Sequence, residues 1–232
     1  YYYLFLFFVV LAIVISYRLQ DSRIGRAWMA IREDEIAAKA MGLNTRNLKL
    51  QIPLSADPVK SVEVARRMFA RRFPDADLAG KTLPEMMGME GHRVRRLSEE
   101  KALHYQVGWK GRSFTPGKFE ASDLTNQILT ATNAALYGIL SSALHSMGYS
   151  PHIGFIHSGS PLPFVYDLAD LYQEELCSVL AFALPRHLAG RYDKHKVAAQ
   201  FRQRVSDMDL LAKVGDDVIA MLGSGRAHRY RK

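Results

Sequence analysis

Cysteine is almost absent from this chain of 232 residues, in which Cys177 stands alone. A single thiol cannot form an internal disulfide, so the sequence excludes a disulfide-stapled secreted fold and is typical of a reducing cytosol. The chain also lacks the G-x-x-x-x-G-K pattern of a phosphate-binding loop, which argues against nucleotide hydrolysis of that type. It contains no internal repeat.

Acidic side chains are too few to balance the basic ones, and the formal net charge is +8. A basic protein favours an anionic partner, either a nucleic acid or a lipid surface. Both the first fifty residues and the remainder are basic, so composition leaves the two partners open.

Residues 1–17 contain no charged side chain and are rich in aromatic and β-branched residues. Their length is at the short edge of what a membrane-spanning helix needs. Arginines follow closely, which predicts a possible inner-membrane anchor with the rest of the chain in the cytoplasm. A buried core helix or strand is the alternative.

Residues 22–50 have the spacing of a charged amphipathic helix that ends at Gly42. With the preceding apolar run they resemble the permease subunit of branched-chain amino acid ABC transporters, and Glu35, Ala37, Ala38 and Gly42 match its E-x-A-A-x-x-x-G element. The resemblance stops near residue 50, and one span cannot form a transport path. A permease fragment is therefore the alternative function.

The proline-containing segment 51–58 predicts a boundary, after which the sequence indicates an all-α domain over residues 51–222 and a basic disordered tail over 223–232. Thr82, Asp123 or Ser122, and Gly148 are candidate helix caps. Helices are predicted over 59–73, from about Thr82 onward, from Asp123 or Ser122 to Met147, from Pro163 to about Leu184, over 194–211 and over 216–222.

Glu90 occupies an apolar stripe formed by Met87, Val94 and Leu97 on the helix that follows Thr82. A buried carboxylate needs a cation, an arginine or a proton, because an unpaired buried charge costs several kcal/mol. The residues alone allow an ion pair with a neighbour such as Arg93 or a bound metal.

The stretch 154–171 has the layout of a metal site. His157 precedes a turn broken by prolines, and Asp167 and Asp170 then share one face of a helix that begins near Pro163. A short extended piece should end at His157, and a loop that folds back would bring His157 over the two carboxylates. Mixed nitrogen and oxygen ligands suit Mg²⁺ or Mn²⁺ better than a closed zinc site.

Two regions have the composition of a nucleic-acid surface. Arginines at positions 66, 67, 71 and 72 should point largely outward, either as a solvated face or as phosphate contacts. Tyr105 and Trp109 lie among basic residues in segment 104–116, which suits base stacking but also a packed hairpin. Asn126, Asn133 and Tyr137 form a polar strip on a buried helix, bonded either to each other or to a site.

The second resemblance covers about 170 residues from Leu54 to Leu222. The motifs GMEGHRVR, YQVGWKGRSF, LTNQILTATNAALYG and GYSPHIGFIHSGSPLPFVYDLADL resemble the CRISPR adaptation integrase, a metal-dependent DNA endonuclease of the subtype found beside Cascade-type effectors. The family's β-rich N-terminal domain is missing, and the permease-like segment takes its place.

This resemblance implies that Glu90, His157 and Asp170 are ligands of Mg²⁺ or Mn²⁺, with Asp167 beside them, and that Tyr137 and Tyr166 lie near the reacting phosphodiester. It also implies double-stranded DNA as substrate, a homodimer, and a small ferredoxin-like adaptation protein as partner. Phosphate contacts are expected from the arginines, here Arg66, Arg67, Arg93 and Arg95. The alternative to an active integrase is an inactive remnant in which Glu90 is merely ion-paired.

Overall fold

The computed structural model describes Phe7, Val9, residues 45–157 and residues 159–223. The chain divides into two compact units, Tyr1–Lys49 and Leu50–Lys232. Phe7 and Val9 are helical and exposed. The rest of the predicted membrane segment, the amphipathic helix that ends at Gly42 and the tail 224–232 lie outside the described residues.

The described residues form helices and turns with no β-strand among them, so the predicted all-α class is confirmed. In chain order the helices are α1 (Thr45–Ala56), α2 (Pro58–Arg72), α3 (Leu83–Tyr105), α4 (Leu124–Met147), α5 (Pro163–Gln173), α6 (Val179–Ala183), α7 (Lys194–Asp207) and α8 (Leu210–Leu222). Within this part of the chain, none of the helices is both long and apolar enough to cross a bilayer.

Local capping chemistry sets several helix ends as the sequence predicts. The backbone N–H and the hydroxyl of Thr82 both donate to the Glu85 carboxylate at 2.7 Å and thereby fix the start of α3. Asp123 accepts from the backbone N–H of Asn126 at 3.0 Å and caps α4. Gly148 ends α4 with φ of 77°, a left-handed conformation that glycine adopts without strain.

The expected lack of helical structure over 51–58 is wrong, because α1 runs through Pro53 to Ala56. The domain boundary predicted at this segment stays a prediction. Gln51 connects this segment to the loop that follows α4. It is fully buried, and its side-chain amide bonds to the backbone of Ser150 and Ile153 at 2.7–2.8 Å. These long-range bonds help hold the segment in place despite the helix-breaking proline.

Two further details of the helices differ from expectation. The predicted helix 194–211 is interrupted at Asp209, which takes a left-handed conformation with φ of 46°, and α8 then starts at Leu210 rather than at Asp216. On α3 the buried methionine is Met86, whereas Met87 is 41% exposed. The first error concerns helix boundaries and the second concerns helical phase, and sequence periodicity locates both poorly.

The core of the second unit is built around α4, which contacts α5, α6, α7 and α8. Leu136, Leu140 and Leu144 on α4, and Phe164 and Leu168 on α5, are fully buried. Because α2 packs against α3, α5 and α8, it lies beside α3, which carries Glu90, and beside α5, which carries Asp167 and Asp170. After α5 the chain passes through a π-helical turn, Glu174–Ser178, directly into α6, so the expected continuation to about Leu184 is confirmed.

Candidate active site

Asp167 on α5 is the centre of the hydrogen-bond network around the site. Its carboxylate accepts from the backbone N–H groups of Phe155 at 2.6 Å, Ile156 at 3.2 Å and His157 at 2.9 Å. Successive N–H groups that converge on one anion form a concave nest, whereas an extended strand points them to opposite sides. The residues before His157 accordingly form turns and bends, and the expected extended piece is wrong.

Gly154 allows this close approach. A Cβ at position 154 would lie 2.6 Å from the Pro163 Cβ and 2.9 Å from the Asp167 Oδ2. A Cβ does not come that close to atoms to which it is not bonded, so only glycine fits between the loop and the first turn of α5. The absence of a side chain at position 154 thus lets the loop 154–157 pack closely on α5, where the hydrogen bonds to Asp167 hold it.

His157 is oriented by the same carboxylate. Its Nδ1 lies 2.9 Å from the Asp167 Oδ1, and its Nε2 points toward Asp170, whose Oδ2 is 3.6 Å away. The fold-back of the loop over the two aspartates is therefore confirmed. The hydrogen bond to Asp167 raises the pKa of His157, although partial burial opposes it. With Nδ1 held by a carboxylate, Nε2 is the nitrogen that can serve as a ligand.

Glu90 is paired with Arg72, not with Arg93. The Arg72 side chain is only 9% exposed, so the expectation that it points outward is wrong. Its Nη1 forms an ion pair with the Glu90 carboxylate and lies 3.8 Å from the Asp170 Oδ2. Arg93 instead lies over the Phe73 ring, with its guanidinium carbon 4.7 Å from the ring centroid.

The sequence contained a signal for the inward position of Arg72. Ala65, Phe69 and Arg72 are spaced as i, i+4 and i+7, which is the apolar face of α2. The same rule that identified Glu90 as a carboxylate on a buried stripe also identifies Arg72 as a guanidinium on one. That the two stripes face each other, so that these opposite charges pair, is shown by the packing of α2 on α3.

The three predicted ligands approach one point from three elements. Glu90 on α3 and Asp170 on α5 flank the same guanidinium nitrogen, and His157 faces Asp170 from the loop. Among the residues that the structure describes, however, no three His, Cys, Asp or Glu side chains are grouped closely enough to hold a metal ion as they stand. The Arg72 guanidinium lies between the two carboxylates.

The donor set nevertheless fits a divalent cation. Ligands about 2.1 Å from one ion can be up to about 4 Å apart, and the 3.6 Å between His157 and Asp170 is within that span. Burial leaves the charge of Asp170 poorly solvated and raises its pKa, while Arg72 and His157 lower it. A cation is thus what this cluster of carboxylates needs.

Two tyrosines connect α4 to His157. Tyr137 and Tyr166 pack edge-to-face with ring centroids 5.0 Å apart, and Tyr166 packs on the His157 ring at 6.2 Å. The Gln173 side-chain amide donates to the Tyr137 hydroxyl at 3.0 Å. Burial, and then the Asp170 charge, raise the pKa of Tyr137, so its phenol stays protonated.

The arginines predicted to contact DNA differ in how free they are. Arg66 donates to the carbonyl oxygens of Leu78 and Lys81 at 3.3 and 3.2 Å, and Arg67 donates to the carbonyl of Met221 at 3.0 Å. Arg95 is exposed on α3. Arg93 lies over the Phe73 ring, so of the four arginines Arg95 has the geometry of a surface phosphate contact. The DNA-binding role of the set stays a prediction.

Segment 106–118 is neither a helix nor a hairpin, and α4 anchors it. Asn126 on α4 accepts from the Arg112 side chain at 2.9 Å and from the Ser113 N–H at 3.0 Å. Trp109 packs edge-to-face on the buried Phe182 at 5.1 Å. Tyr105 is covered by the Arg186 guanidinium at 5.2 Å from its ring centroid. Both aromatic rings thus have packing partners within the fold.

The polar side chains on α4, Asn126, Asn133 and Tyr137, differ in their hydrogen-bond partners. Asn126 bonds to segment 106–118, and Tyr137 bonds to Gln173. The Asn133 Oδ1 is buried without a hydrogen-bond partner among the described residues. The three side chains therefore do not bond to each other, contrary to the simpler of the two interpretations.

Comparison with known proteins shows the family of the chain. The family model described as CRISPR associated protein Cas1 matches residues 38–200. The chain belongs to the Cas1 family. The CRISPR-associated endonuclease Cas1 2 of Chlorobaculum tepidum is 66% identical over 180 residues, which are 78% of this chain and 61% of that protein. The Cas1 endonuclease of Clostridium sp. strain SY8519 is 34% identical over 212 residues, 88% of this chain and 69% of that protein.

Solved Cas1 structures share the fold. The crystal structure of a TtCas1–DNA complex has a TM-score of 0.70 at 33% identity and covers 76% of this chain and 65% of its own. The crystal structure of TtCas1 has a TM-score of 0.68 at 30% identity. The chain thus spans less than two thirds of several of the Cas1 proteins that it matches.

The beginning of the chain has a separate and short similarity. A model described as branched-chain amino acid transport system permease component matches residues 2–53. The permease protein LivM of Escherichia coli is 49% identical over 45 residues, which are 19% of this chain and 11% of that protein. So short a match does not favour a transport function over membership of the Cas1 family.

Proposed function

We propose that residues 51–222 form the catalytic helical domain of a metal-dependent DNA endonuclease or integrase of CRISPR spacer acquisition. One observation carries the proposal: Asp167 fixes His157 so that Nε2 faces Asp170, while Glu90 comes from a third element toward the same place. Carboxylate–histidine pairing of this kind is how proteins orient a histidine ligand toward a metal.

Glu90, His157 and Asp170 would hold Mg²⁺ or Mn²⁺. Nucleases of the Cas1 family are metal-dependent, which supports a divalent cofactor. Such an ion would polarise a backbone phosphate and stabilise charge on the attacking and leaving oxygens. The mixed nitrogen and oxygen donors are the reason for choosing these two metals, of which Mn²⁺ is the more tolerant of imidazole.

Each group of side chains around the site would have a different role. Asp167 keeps a proton on His157 Nδ1 and so keeps Nε2 free as a ligand. Tyr137 keeps its phenol protonated beside the site, with Tyr166 packed against it, and the two hydroxyls would face phosphate oxygens of a bound substrate. The attacking group is a DNA 3′-hydroxyl in integration or water in cleavage. Arg95 and the basic tail would neutralise neighbouring phosphates.

Double-stranded DNA is the proposed substrate, and the TtCas1–DNA complex supports it as a structural neighbour. A homodimer and a small ferredoxin-like adaptation protein are the proposed partners, and the cytoplasm is the proposed location. Integration by this chain is the most demanding part of the proposal, because the chain spans only 61% of its Chlorobaculum tepidum relative.

The test is Mn²⁺-dependent cleavage and strand transfer with the complete chain. His157→Ala and Asp170→Ala should each abolish both reactions, since each removes a ligand. His195→Ala and Asp216→Ala change the same residue types at exposed positions on α7 and α8, and both should retain wild-type rates. Activity that survives in both site variants would disprove the proposal, as would a wild-type chain without any Mn²⁺-dependent activity.

A further inference from the structure

Arg72 lies in the centre of the proposed metal site. Its Nη1 forms the ion pair with Glu90 and is 3.8 Å from Asp170, and its side chain is 9% exposed. Burial lowers the pKa of Arg72, but a guanidinium remains protonated at any physiological pH. A full positive charge is thus placed between two of the three residues that would bind the metal.

Other arginines on α2 are fixed in a different way. Arg66 and Arg67 donate to backbone carbonyl oxygens, and Arg71 pairs with Asp217 of α8, away from the site. The Nε of Arg72 donates no hydrogen bond within the described part of the chain. The Arg72 guanidinium is held by the two carboxylates and by contact with the Phe73 ring, 5.0 Å from its centroid.

A guanidinium and a divalent ion satisfy the same electrostatic need. Carboxylates at Glu90 and Asp170 are 15% and 19% exposed, and without a cation they would repel each other in a poorly solvated place. Both cations cannot take the same carboxylate oxygens at once. When one binds, the other must give up at least part of its contacts.

We infer that Arg72 is the resident counter-ion of the metal site: its guanidinium neutralises Glu90 and Asp170 in the metal-free protein and competes with a divalent cation for these carboxylates. Arg72 is therefore a positioning residue that sets metal affinity. The helical domain can fold with the site neutralised before metal arrives. The inference rests on the metal site proposed above.

Isothermal titration calorimetry of the complete chain with MnCl₂, in the absence of DNA, tests it. Arg72→Met should bind Mn²⁺ at least about tenfold more tightly than wild type, because a positive charge has been removed from within a few Å of the ion. Arg202→Met removes the same charge from an exposed position on α7 and should change the affinity by no more than about twofold.

A second readout follows from linkage. The metal-free Arg72→Met variant should melt at a lower temperature than wild type, because its carboxylates have lost their partner. Saturating Mn²⁺ should raise its melting temperature by more than it raises that of wild type. A residue with a purely structural role would lower both melting temperatures alike and leave the Mn²⁺-induced gain unchanged.

The wild-type chain provides a test that does not depend on the folding of the methionine variant. The side-chain Nε–Hε NMR signal of Arg72, assigned with Arg72→Lys, should shift during a Mg²⁺ titration and saturate with the affinity that calorimetry gives for Mg²⁺. A signal that does not move while Mg²⁺ binds would overturn the competition.

The outcomes separate the inference from the proposed function. If wild type binds Mn²⁺ and Arg72→Met binds it equally or more weakly, only the competition is wrong. If neither wild type nor Arg72→Met binds Mn²⁺, the metal site itself is wrong and the inference fails with it. If Arg72→Met binds Mn²⁺ and wild type does not, competition is supported in its strongest form.

Discussion

Gly154 is a position where the packing of the loop on α5 requires glycine. Gly154→Ala would place a Cβ 2.6 Å from Pro163 and force the loop away from α5. We expect a loss of about 1–3 kcal/mol in the free energy of unfolding, the usual cost of overpacking. Chemical denaturation measures it, and Mn²⁺ affinity should fall as well, because His157 moves with the loop.

Gly138→Ala is the matched control. Gly138 lies in α4, and a Cβ there would meet no described atom within 4 Å. Alanine at an open helical position should stabilise the protein by about 0.5–1 kcal/mol. Equal stability of the two variants would show that the loop does not pack on α5 as described.

At the level of residues, the sequence predicts interactions between near neighbours but not hydrogen bonds between distant segments. Thr82, Asp123 and Gly148 act on backbone groups within a few positions, so their capping roles follow from the sequence. Gln51 bonds to Ser150, 99 residues away, and no local pattern announces that contact. Asp167 was expected beside the ligands, but its use as acceptor for three backbone N–H groups depends on a loop whose path could not be derived.

Among the elements, α8 is held to α2 and α5 through Asp217. This buried carboxylate accepts from the Tyr172 hydroxyl at 2.8 Å and pairs with Arg71 at 2.8 Å. Asp217→Ala should destabilise the protein by about 1–3 kcal/mol, mainly because the buried Tyr172 hydroxyl loses its partner. Arg71 is 62% exposed and can be hydrated instead, so it adds little.

Urea titration of both variants measures this difference: Asp216→Ala, at the exposed position just before Asp217, should stay within about 0.5 kcal/mol of wild type. A loss of stability in Asp216→Ala as large as that in Asp217→Ala would contradict this arrangement.

The helices themselves were largely predictable, because their apolar stripes and caps lie within one segment. The phase of α2 and α3 was not fully recovered, and for that reason Arg72 was expected outside and Met87 inside.

For the whole molecule, net charge makes a prediction that does not depend on any one contact. A chain with a net charge of +8 should bind duplex DNA of arbitrary sequence mainly through phosphates. Its affinity should fall at least about tenfold between 50 and 200 mM salt, as counterion release requires. Fluorescence anisotropy with a labelled duplex measures it, and an affinity that does not change with salt would refute electrostatic binding.

The whole-molecule class was predictable because composition and helical periodicity agree over most of the chain. The position of the site was predictable in part, since His157, Asp167 and Asp170 are close in sequence. The counter-ion was not predicted, because it requires knowing which faces of α2, α3 and α5 meet. That knowledge resides in the packing of Phe164, Leu168 and the α4 leucines, not in any single motif.

The π-helical turn at Glu174–Ser178 has a further consequence. A regular helix advances about 100° per residue, so α5 of constant pitch would dictate which way α6 faces. The wider turn inserts one residue and resets that angle. The directions of the side chains before the turn, such as Asp170 and Gln173, are therefore independent of the directions of those after it, such as Leu180. One continuous helical segment can in this way present the candidate site residues at one end and pack into the core at the other.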